Sequence, residues 1–225
     1  MEQESNLNCT IENFEEQENF SDKEIFTKIW TSPRKVFKYI VNSNYRKYSA
    51  TLLVLAGISN IFFQSINKNL GNNFSLLGII LFCIIAGGLL GWMSFYFYAA
   101  LLSWTGKWLK GEGNTDSFVR IISYAMIPSI VAMLLLIPQI YILGADLFTA
   151  NHNFEGASVL SRMISGIVLM ITGVLQMILG IWTMVLCVIG ISEVQEFSIG
   201  KSILNMLIPG LLLFAIVLSI ILLIR

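Results

Sequence analysis

The stretch LLGIILFCIIAGGLLGWMSFYFYAALL, Leu76–Leu102, contains no acidic, basic or imidazole side chain. A helix needs about 20 apolar residues to cross the hydrocarbon core of a bilayer, so this run is long enough. At about 1.5 Å per residue it would reach roughly 40 Å, so it must tilt, protrude or bend. Four other long uncharged runs occur, at Tyr48–Asn67, Ile121–Ala145, Met163–Ser192 and Ser202–Ile224. We therefore predict an all-α integral membrane bundle of five transmembrane helices.

The composition of the whole chain agrees with this class. Only 12% of its 225 residues are charged, about half the share of a soluble domain, and the mean hydropathy is +0.74. Lys and Arg balance Asp and Glu, so the net charge is zero and no nucleic-acid partner is expected. Cys9, Cys83 and Cys187 have neither disulfide nor metal-ligand spacing, and we expect no cofactor or metal.

Three segments follow from the distribution of charge and apolar residues. Residues 1–22 are predicted to be a disordered acidic cytosolic tail. Residues 23–48 are predicted to form amphipathic interfacial helices, and residues 49–225 the five-span membrane domain. The expected spans cover about residues 49–66, 76–103, 121–144, 163–192 and 203–224.

The segment before the first span has apolar residues at helical spacing, broken at Ser32-Pro33, which is a good start for a second short helix. A basic amphipathic segment beside a span is typical of helices that lie in the membrane interface. The alternative is a helix that docks onto a partner. The residues assigned to the interfacial anchor are Trp30, Arg34, Lys35, Phe37 and Lys38.

Glycine and proline mark the interiors of the spans. Glycines at the spacing of one or two helical turns let a neighbouring helix approach closely, so we assign helix packing to Gly87, Gly91, Gly166, Gly173 and Gly180. Proline removes a backbone donor and bends a helix. Kinks are therefore predicted at Pro128, Pro138 and Pro209.

Lys and Arg in the flanks of the spans predict the orientation. One side would carry Arg34, Lys35, Lys38, Arg46, Lys47, Lys107, Lys110, Arg120 and Lys201, and the other only Lys68, Arg162 and Arg225. The N-terminus is therefore expected in the cytosol and the C-terminus outside. Two cytosolic loops would then form one candidate interaction surface, which comprises Lys107, Lys110, Glu112, Asp116, Arg120, Glu193, Glu196 and Lys201.

The predicted spans contain no Asp, Glu, Lys, Arg or His, and such residues normally mark proton relays, ion pathways and intramembrane hydrolases. The single histidine, His152, lies in an outer loop with Asp146 and Glu155, and we interpret it as a solvated loop residue. An enzyme is therefore not expected. Uncharged polar residues remain, and a path for a neutral solute would be lined by Gln139, Gln176 and Asn205.

Three segments, IWTSPRKVFKYI, GGLLGWMSFYFYAALLSWTGKWLKGEGNTDSFVRIISYAMIP and IWTMVLCVIGISEVQEFSIGKSILN, together resemble the Yip-domain family, and the Ser-Pro-Arg element resembles its bacterial branch. The resemblance covers Glu24 to Arg225. It implies a five-span membrane protein without a catalytic site. Eukaryotic members act in vesicle traffic in ER and Golgi membranes, where they bind prenylated Ypt/Rab-type GTPases and one another.

Two functions follow from these observations. The first is a non-enzymatic multi-pass scaffold or adaptor in membrane organisation or trafficking. Its partners would be the lipid bilayer and a homo-oligomer or another membrane protein, with a small GTPase only in a eukaryotic host. The alternative is a transporter, channel or lipid-handling protein for a neutral or amphiphilic substrate. The expected location is the bacterial cytoplasmic membrane, otherwise the ER or Golgi membrane.

Overall fold

Every regular element of the computed structural model, which describes residues 19–150 and 158–224, is helical. Two short helices come first, α1 (Asp22–Lys28) and α2 (Pro33–Asn42). The longer elements that follow are α3 (Ser49–Asn67), α4 (Leu76–Ala86), a π-helical turn (Gly87–Gly91), α5 (Trp92–Trp108), α6 (Thr115–Ala125), α7 (Ile127–Leu134), α8 (Leu136–Leu143), α9 (Val159–Gln195) and α10 (Ile199–Ile224). Short 3-10 turns at Leu70–Asn72 and Gly144–Phe148 follow α3 and α8.

Five continuous helical segments are long and apolar enough to cross a membrane. They confirm the predicted all-α bundle of five transmembrane helices. We call them the first to fifth spans, Ser49–Asn67, Leu76–Trp108, Thr115–Phe148, Val159–Gln195 and Ile199–Leu222. An integral multi-pass membrane protein follows from their length and composition.

Capping side chains extend two spans beyond their predicted starts. Ser75, Asn114 and Ser158 each accept a hydrogen bond from the backbone N–H three residues later, at the beginning of the second, third and fourth spans. Such a cap satisfies one of the free donors of a helix N-terminus. The third and fourth spans consequently begin at Thr115 and Val159 rather than near residues 121 and 163.

The first and second spans touch backbone to backbone at three glycines. A Cβ added to Gly57 would lie 2.6 Å from the carbonyl oxygen of Gly87, and one on Gly91 would lie 2.5 Å from the Cα of Gly57. The π-helical turn occupies this contact and supplies both Gly87 and Gly91. Only glycine permits such an approach, so these residues fix how the two spans cross.

The glycines of the fourth span behave differently from those of the second. No described atom lies within 4 Å of a Cβ built on Gly166, Gly173 or Gly180. These glycines therefore make no close contact with a neighbouring helix in the described chain, which corrects their assignment to helix packing. The residues of the fourth span that are buried in the bundle include Thr172, Thr183 and Cys187.

Two of the three prolines assigned to kinks lie just after breaks in a helix, and the third does not. Pro128 is the second residue of α7, directly after the break between α6 and α7, and Pro138 lies near the start of α8. Both positions suit a residue that lacks a backbone donor, and the third span is interrupted at Met126 and Leu135. Pro209 lies inside α10, which runs through it without interruption.

The helices α1 and α2 pack on the end of the bundle with their apolar sides. Ile25, Ile29, Val36, Phe37 and Ile40 are fully buried in one cluster with residues of the first four spans. This corrects the assignment of Phe37 to an interfacial anchor, because the side chain lies in protein rather than in lipid. Trp30 is partly buried against the same cluster, whereas the charged anchor residues Arg34, Lys35 and Lys38 are exposed.

Some of the sequence predictions concern residues outside the described ranges. The acidic tail to residue 18, the His152 loop residues 151–157 and Arg225 belong to this group. Asp22, the last residue assigned to the tail, is the first residue of α1.

Two alanine substitutions in the π-helical turn test the contact between the first and second spans. Gly91→Ala places a methyl group against the backbone of Gly57, so we expect it to lower the free energy of unfolding by about 1–3 kcal/mol. Gly88→Ala is the matched control, because no atom lies within 4 Å of its added Cβ. Denaturation of each purified variant in mixed micelles measures its free energy of unfolding. Equal effects of the two substitutions would contradict this contact.

Candidate functional site

The end of the bundle that carries α1 and α2 also collects two interhelical connections. We call it the N-terminal face, formed by α1, α2, the loop of residues 109–114 and the turn of residues 196–198. Hydrogen bonds connect two of these segments to the end of the fourth span, one from the Arg34 side chain to Glu193 and one from the Gly113 N–H to the Gln195 side chain. The two loops of the predicted interaction surface are therefore neighbours.

The side-chain amide of Gln195 clamps the 109–114 loop to the end of the fourth span. Its Oε1 accepts a hydrogen bond of 2.9 Å from the backbone N–H of Gly113, and its Nε2 donates to the carbonyl of Leu102 at 3.3 Å. A Cβ on Gly106 or Gly111 would overlap this amide. The glycines thus leave the space in which the buried amide satisfies both its donor and its acceptor.

A second buried amide joins the fifth span to the same place. Asn205 accepts a hydrogen bond of 2.8 Å from the hydroxyl of Thr105 and donates to the carbonyl of Leu102 at 3.3 Å. Leu102 therefore accepts from both Asn205 and Gln195. These bonds hold the second, fourth and fifth spans together directly beneath the N-terminal face.

Helix α2 is tied to the end of the fourth span by an ion pair. The guanidinium Nε of Arg34 donates to the carboxylate of Glu193 at 2.7 Å, and its other end reaches the hydroxyl of Ser192 at 3.5 Å. Glu193 is shielded more than Arg34, with 16% of its side chain exposed. The Glu193 carboxylate of the predicted interaction surface is thus already engaged within the chain.

Asp116 and Arg120, both assigned to the interaction surface, belong to a second internal network. Asp116 pairs with Arg46 from the segment before the first span, and Arg120 lies 3.6 Å from the same carboxylate. Arg120 also donates to the side-chain carbonyl of Asn44 at 2.6 Å. Only 3% of Arg120 is exposed, which corrects its assignment to the surface. It instead holds the α2–α3 connection to the third span.

Asp22 fastens α1 to the same connection. Its carboxylate accepts hydrogen bonds from the Tyr45 hydroxyl at 2.7 Å, the Lys47 ammonium at 2.5 Å and the Tyr48 hydroxyl at 2.9 Å. These bonds, that from Lys47 above all, lower the pKa of Asp22 to about 2. Burial and the bond to Asp22 raise the pKa of Tyr45 above its ordinary value.

The other five residues of the predicted surface remain exposed. Lys107, Lys110, Glu112 and Glu196 make no ion pair within the part of the chain that the structure describes, and Lys201 lies over the ring of Phe197 at 5.6 Å. Lys110 and Glu196 adopt left-handed φ values of 66° and 54° where α5 and α9 end. The exposed charges are thus presented by sharp turns.

Two exposed tryptophans lie beside these charges, in the last two turns of the second span. Trp104 and Trp108 are one turn apart, and their rings meet edge to face with centroids 4.7 Å apart. Each is about half exposed, at 52% and 53%. Tryptophans at a span end are typical of headgroup depth in a bilayer.

Three polar residues of the third and fourth spans pair with one another inside the bundle. Gln139 of the third span donates to the hydroxyl of Thr172 at 2.7 Å and to the amide oxygen of Gln176 at 3.3 Å. Gln176 donates in turn to the carbonyl of Ala132 at 3.4 Å. These bonds link the third and fourth spans. Among the described residues, no group of three His, Cys, Asp or Glu side chains is placed to hold a metal ion.

Sequence reasoning did not identify Gln195 and Asp22 as organising residues. Both lie next to charged residues and look like ordinary loop or tail positions in the sequence. The available signal for Gln195 was the set of three glycines, Gly106, Gly111 and Gly113, because closely spaced glycines at the end of a helix indicate a close neighbour.

Comparison with known proteins gives one match. The family model of the Yip1 domain matches residues 27–221. The match begins inside α1 and ends inside the fifth span, so it includes most of the N-terminal face and the whole bundle core. Comparisons with curated proteins and with solved structures found no match.

Replacement of Gln195 by alanine tests the clamp on the 109–114 loop. The variant leaves the buried N–H of Gly113 without an acceptor, which costs about 1–3 kcal/mol. We therefore expect hydrogen exchange at Gly113 to quicken at least about fivefold, with the protein still folded. Gln64→Ala is the control, because the Gln64 side chain bonds only to Asn60 on its own helix. Unchanged exchange at Gly113 would contradict the clamp.

The docking of α1 should depend on pH through Asp22. Its folded pKa of about 2 lies below the ordinary value of 3.8, so its contribution is present above 3.8 and is lost as the pH falls through about 2. We expect acid to release α1, which the emission of a Trp30-only variant in nanodiscs would report. Asp22→Asn should remove this transition or weaken docking already at neutral pH. Glu24→Gln is the control that leaves the Asp22 contacts in place, and identical titrations of Asp22→Asn and the parent would contradict this role.

Proposed function

The chain belongs to the Yip1-domain family of membrane proteins, and on that premise we propose that it is a non-enzymatic multi-pass membrane scaffold or adaptor. In this role the bundle holds the N-terminal face at one membrane surface, and the exposed charges of that face bind a partner. The proposed partner is a second copy of the chain or another membrane protein. A small GTPase takes this place only in a eukaryotic host.

One observation supports this role above all. Several described amides and hydroxyls of the interior bond to one another across spans, whereas Lys107, Lys110, Glu112 and Glu196 stay exposed on the N-terminal face without an ion pair in the described ranges. Satisfied interior groups make a bundle rigid. Exposed charges on a rigid support favour selective association with a partner of complementary charge.

The same contacts argue against a polar solute path along the amides that could have lined it. Gln139 and Gln176 bond to each other and to the third and fourth spans, and Asn205 bonds to the second span. A solute would have to replace these interhelical bonds, each worth about 0.6 kcal/mol on average in membranes. The amides are therefore better explained as connections between helices.

The sequence supports a proposed location. The excess of Lys and Arg beside the N-terminal face supports a cytosolic position for it. The proposed location is the bacterial cytoplasmic membrane, since the Ser-Pro-Arg element resembles the bacterial branch. The alternative location is the ER or Golgi membrane.

Charge reversal at the exposed lysines tests the scaffold role. Lys107→Glu with Lys110→Glu should reduce crosslinking to a defined partner or second copy at least about tenfold, because like charges repel across an interface. Membrane insertion, measured by resistance to alkaline extraction, should be unchanged. Lys68→Glu in the exposed first loop is the control and should affect neither. Unchanged crosslinking would contradict the proposal, and so would loss of insertion together with crosslinking.

A further inference from the structure

A cavity of about 390 Å³ lies where the second, third, fourth and fifth spans meet. This volume falls in the range of roughly 300–1,000 Å³ that is typical of small-ligand sites. Its walls include Tyr98 of the second span, Met126 of the third, Gly180 and Met184 of the fourth and Met206 of the fifth. The proposed scaffold function makes no use of it.

The cavity opens sideways toward the surroundings of the bundle. Ser94, Gly180 and Met184 line it and are also exposed on the outer surface of the spans. At this level of a five-span bundle the surroundings are the hydrocarbon of the bilayer. A ligand would therefore enter laterally from the membrane, and the flexible methionines of the wall could adapt to its shape.

Most polar groups of the wall are turned back onto their own helices or onto a neighbour. The hydroxyl of Ser94 donates to the carbonyl of Gly91 at 2.6 Å, and that of Thr183 to the carbonyl of Leu179 at 2.9 Å. The hydroxyl of Ser129 lies 3.3 Å from that of Ser59. These groups leave a largely apolar surface, which suits a hydrocarbon chain rather than a polar solute.

Tyr98 differs from these groups. Its hydroxyl has no hydrogen-bond partner among the described residues, although its ring lies in the wall of the cavity. A donor in an apolar site gains from an acceptor that the ligand brings. The wall also contains no carboxylate, ammonium, guanidinium or imidazole group, so a charged ligand group would lack a counter-charge.

From these observations we propose that the cavity binds an uncharged, hydrocarbon-rich amphiphile that enters from the bilayer. Its chain lies against the methionines, and the Tyr98 hydroxyl donates to one acceptor oxygen on it. This site is separate from the N-terminal face, so its test is independent of the scaffold role.

The test uses the full-length protein in nanodiscs and a long-chain primary alcohol that carries a diazirine. Light should attach the probe to the peptides that contain Met126, Met184 and Met206, and unlabelled alcohol should compete. Gly180→Leu fills the cavity without a backbone clash, since nothing lies within 4 Å of its added Cβ, and it should abolish most of this labelling. Gly166→Leu is the matched control, equally unobstructed but not part of the wall, and should label as the parent does.

A second pair of measurements tests the role of Tyr98. Tyr98→Phe should weaken binding of the alcohol about fivefold, the worth of one hydrogen bond, but leave a diazirine alkane of the same length unaffected. The corresponding ionised fatty acid should label the cavity less than the alcohol.

Two outcomes would overturn the site. One is labelling spread evenly over the lipid-facing residues, and the other is a folded Gly180→Leu variant that is labelled as strongly as the parent protein. Equal labelling by acid and alcohol, or equal effects of Tyr98→Phe on alcohol and alkane, would overturn the assigned ligand class.

Discussion

The buried amide of Gln195 has to satisfy a donor and an acceptor inside the protein, and much of the N-terminal face depends on this requirement. Its bonds to Gly113 and Leu102 place the 109–114 loop against the end of the fourth span. Asn205 uses the same Leu102 carbonyl to bring in the fifth span. Because a buried polar group without a partner costs free energy, these elements cannot separate one by one. The exposed lysines are thereby carried on a fixed support.

The same requirement gives a useful distinction between the polar groups of the interior. Gln139, Gln176 and Asn205 have partners on neighbouring spans and therefore explain packing. Tyr98 lines a cavity and its hydroxyl has no hydrogen-bond partner in the described chain. A polar group in a cavity wall that makes no hydrogen bond within the protein is the better guide to a ligand. The three amides are therefore assigned to helix packing, and Tyr98 to the proposed ligand site.

Close backbone contact is the second constraint of the fold, and it could be recognised only in part from the sequence. The pair Gly87 and Gly91 has the spacing of a packing motif and meets Gly57. The series Gly166, Gly173 and Gly180 has an equally regular spacing but meets nothing in the described chain. Spacing reports which residues share a side of a helix, but it contains no information on which side a neighbour covers.

The sequence by itself determined the class of the protein and the number of spans, because these depend on local hydrophobicity. The resemblance to the Yip-domain family was also visible in the order of short motifs. Only the tertiary structure decided that Phe37 is buried in protein and that Arg120 and Glu193 are engaged internally. It also placed four spans around one cavity. These features arise from contacts between residues far apart in the chain, whose energies depend on three-dimensional neighbours that no local pattern specifies.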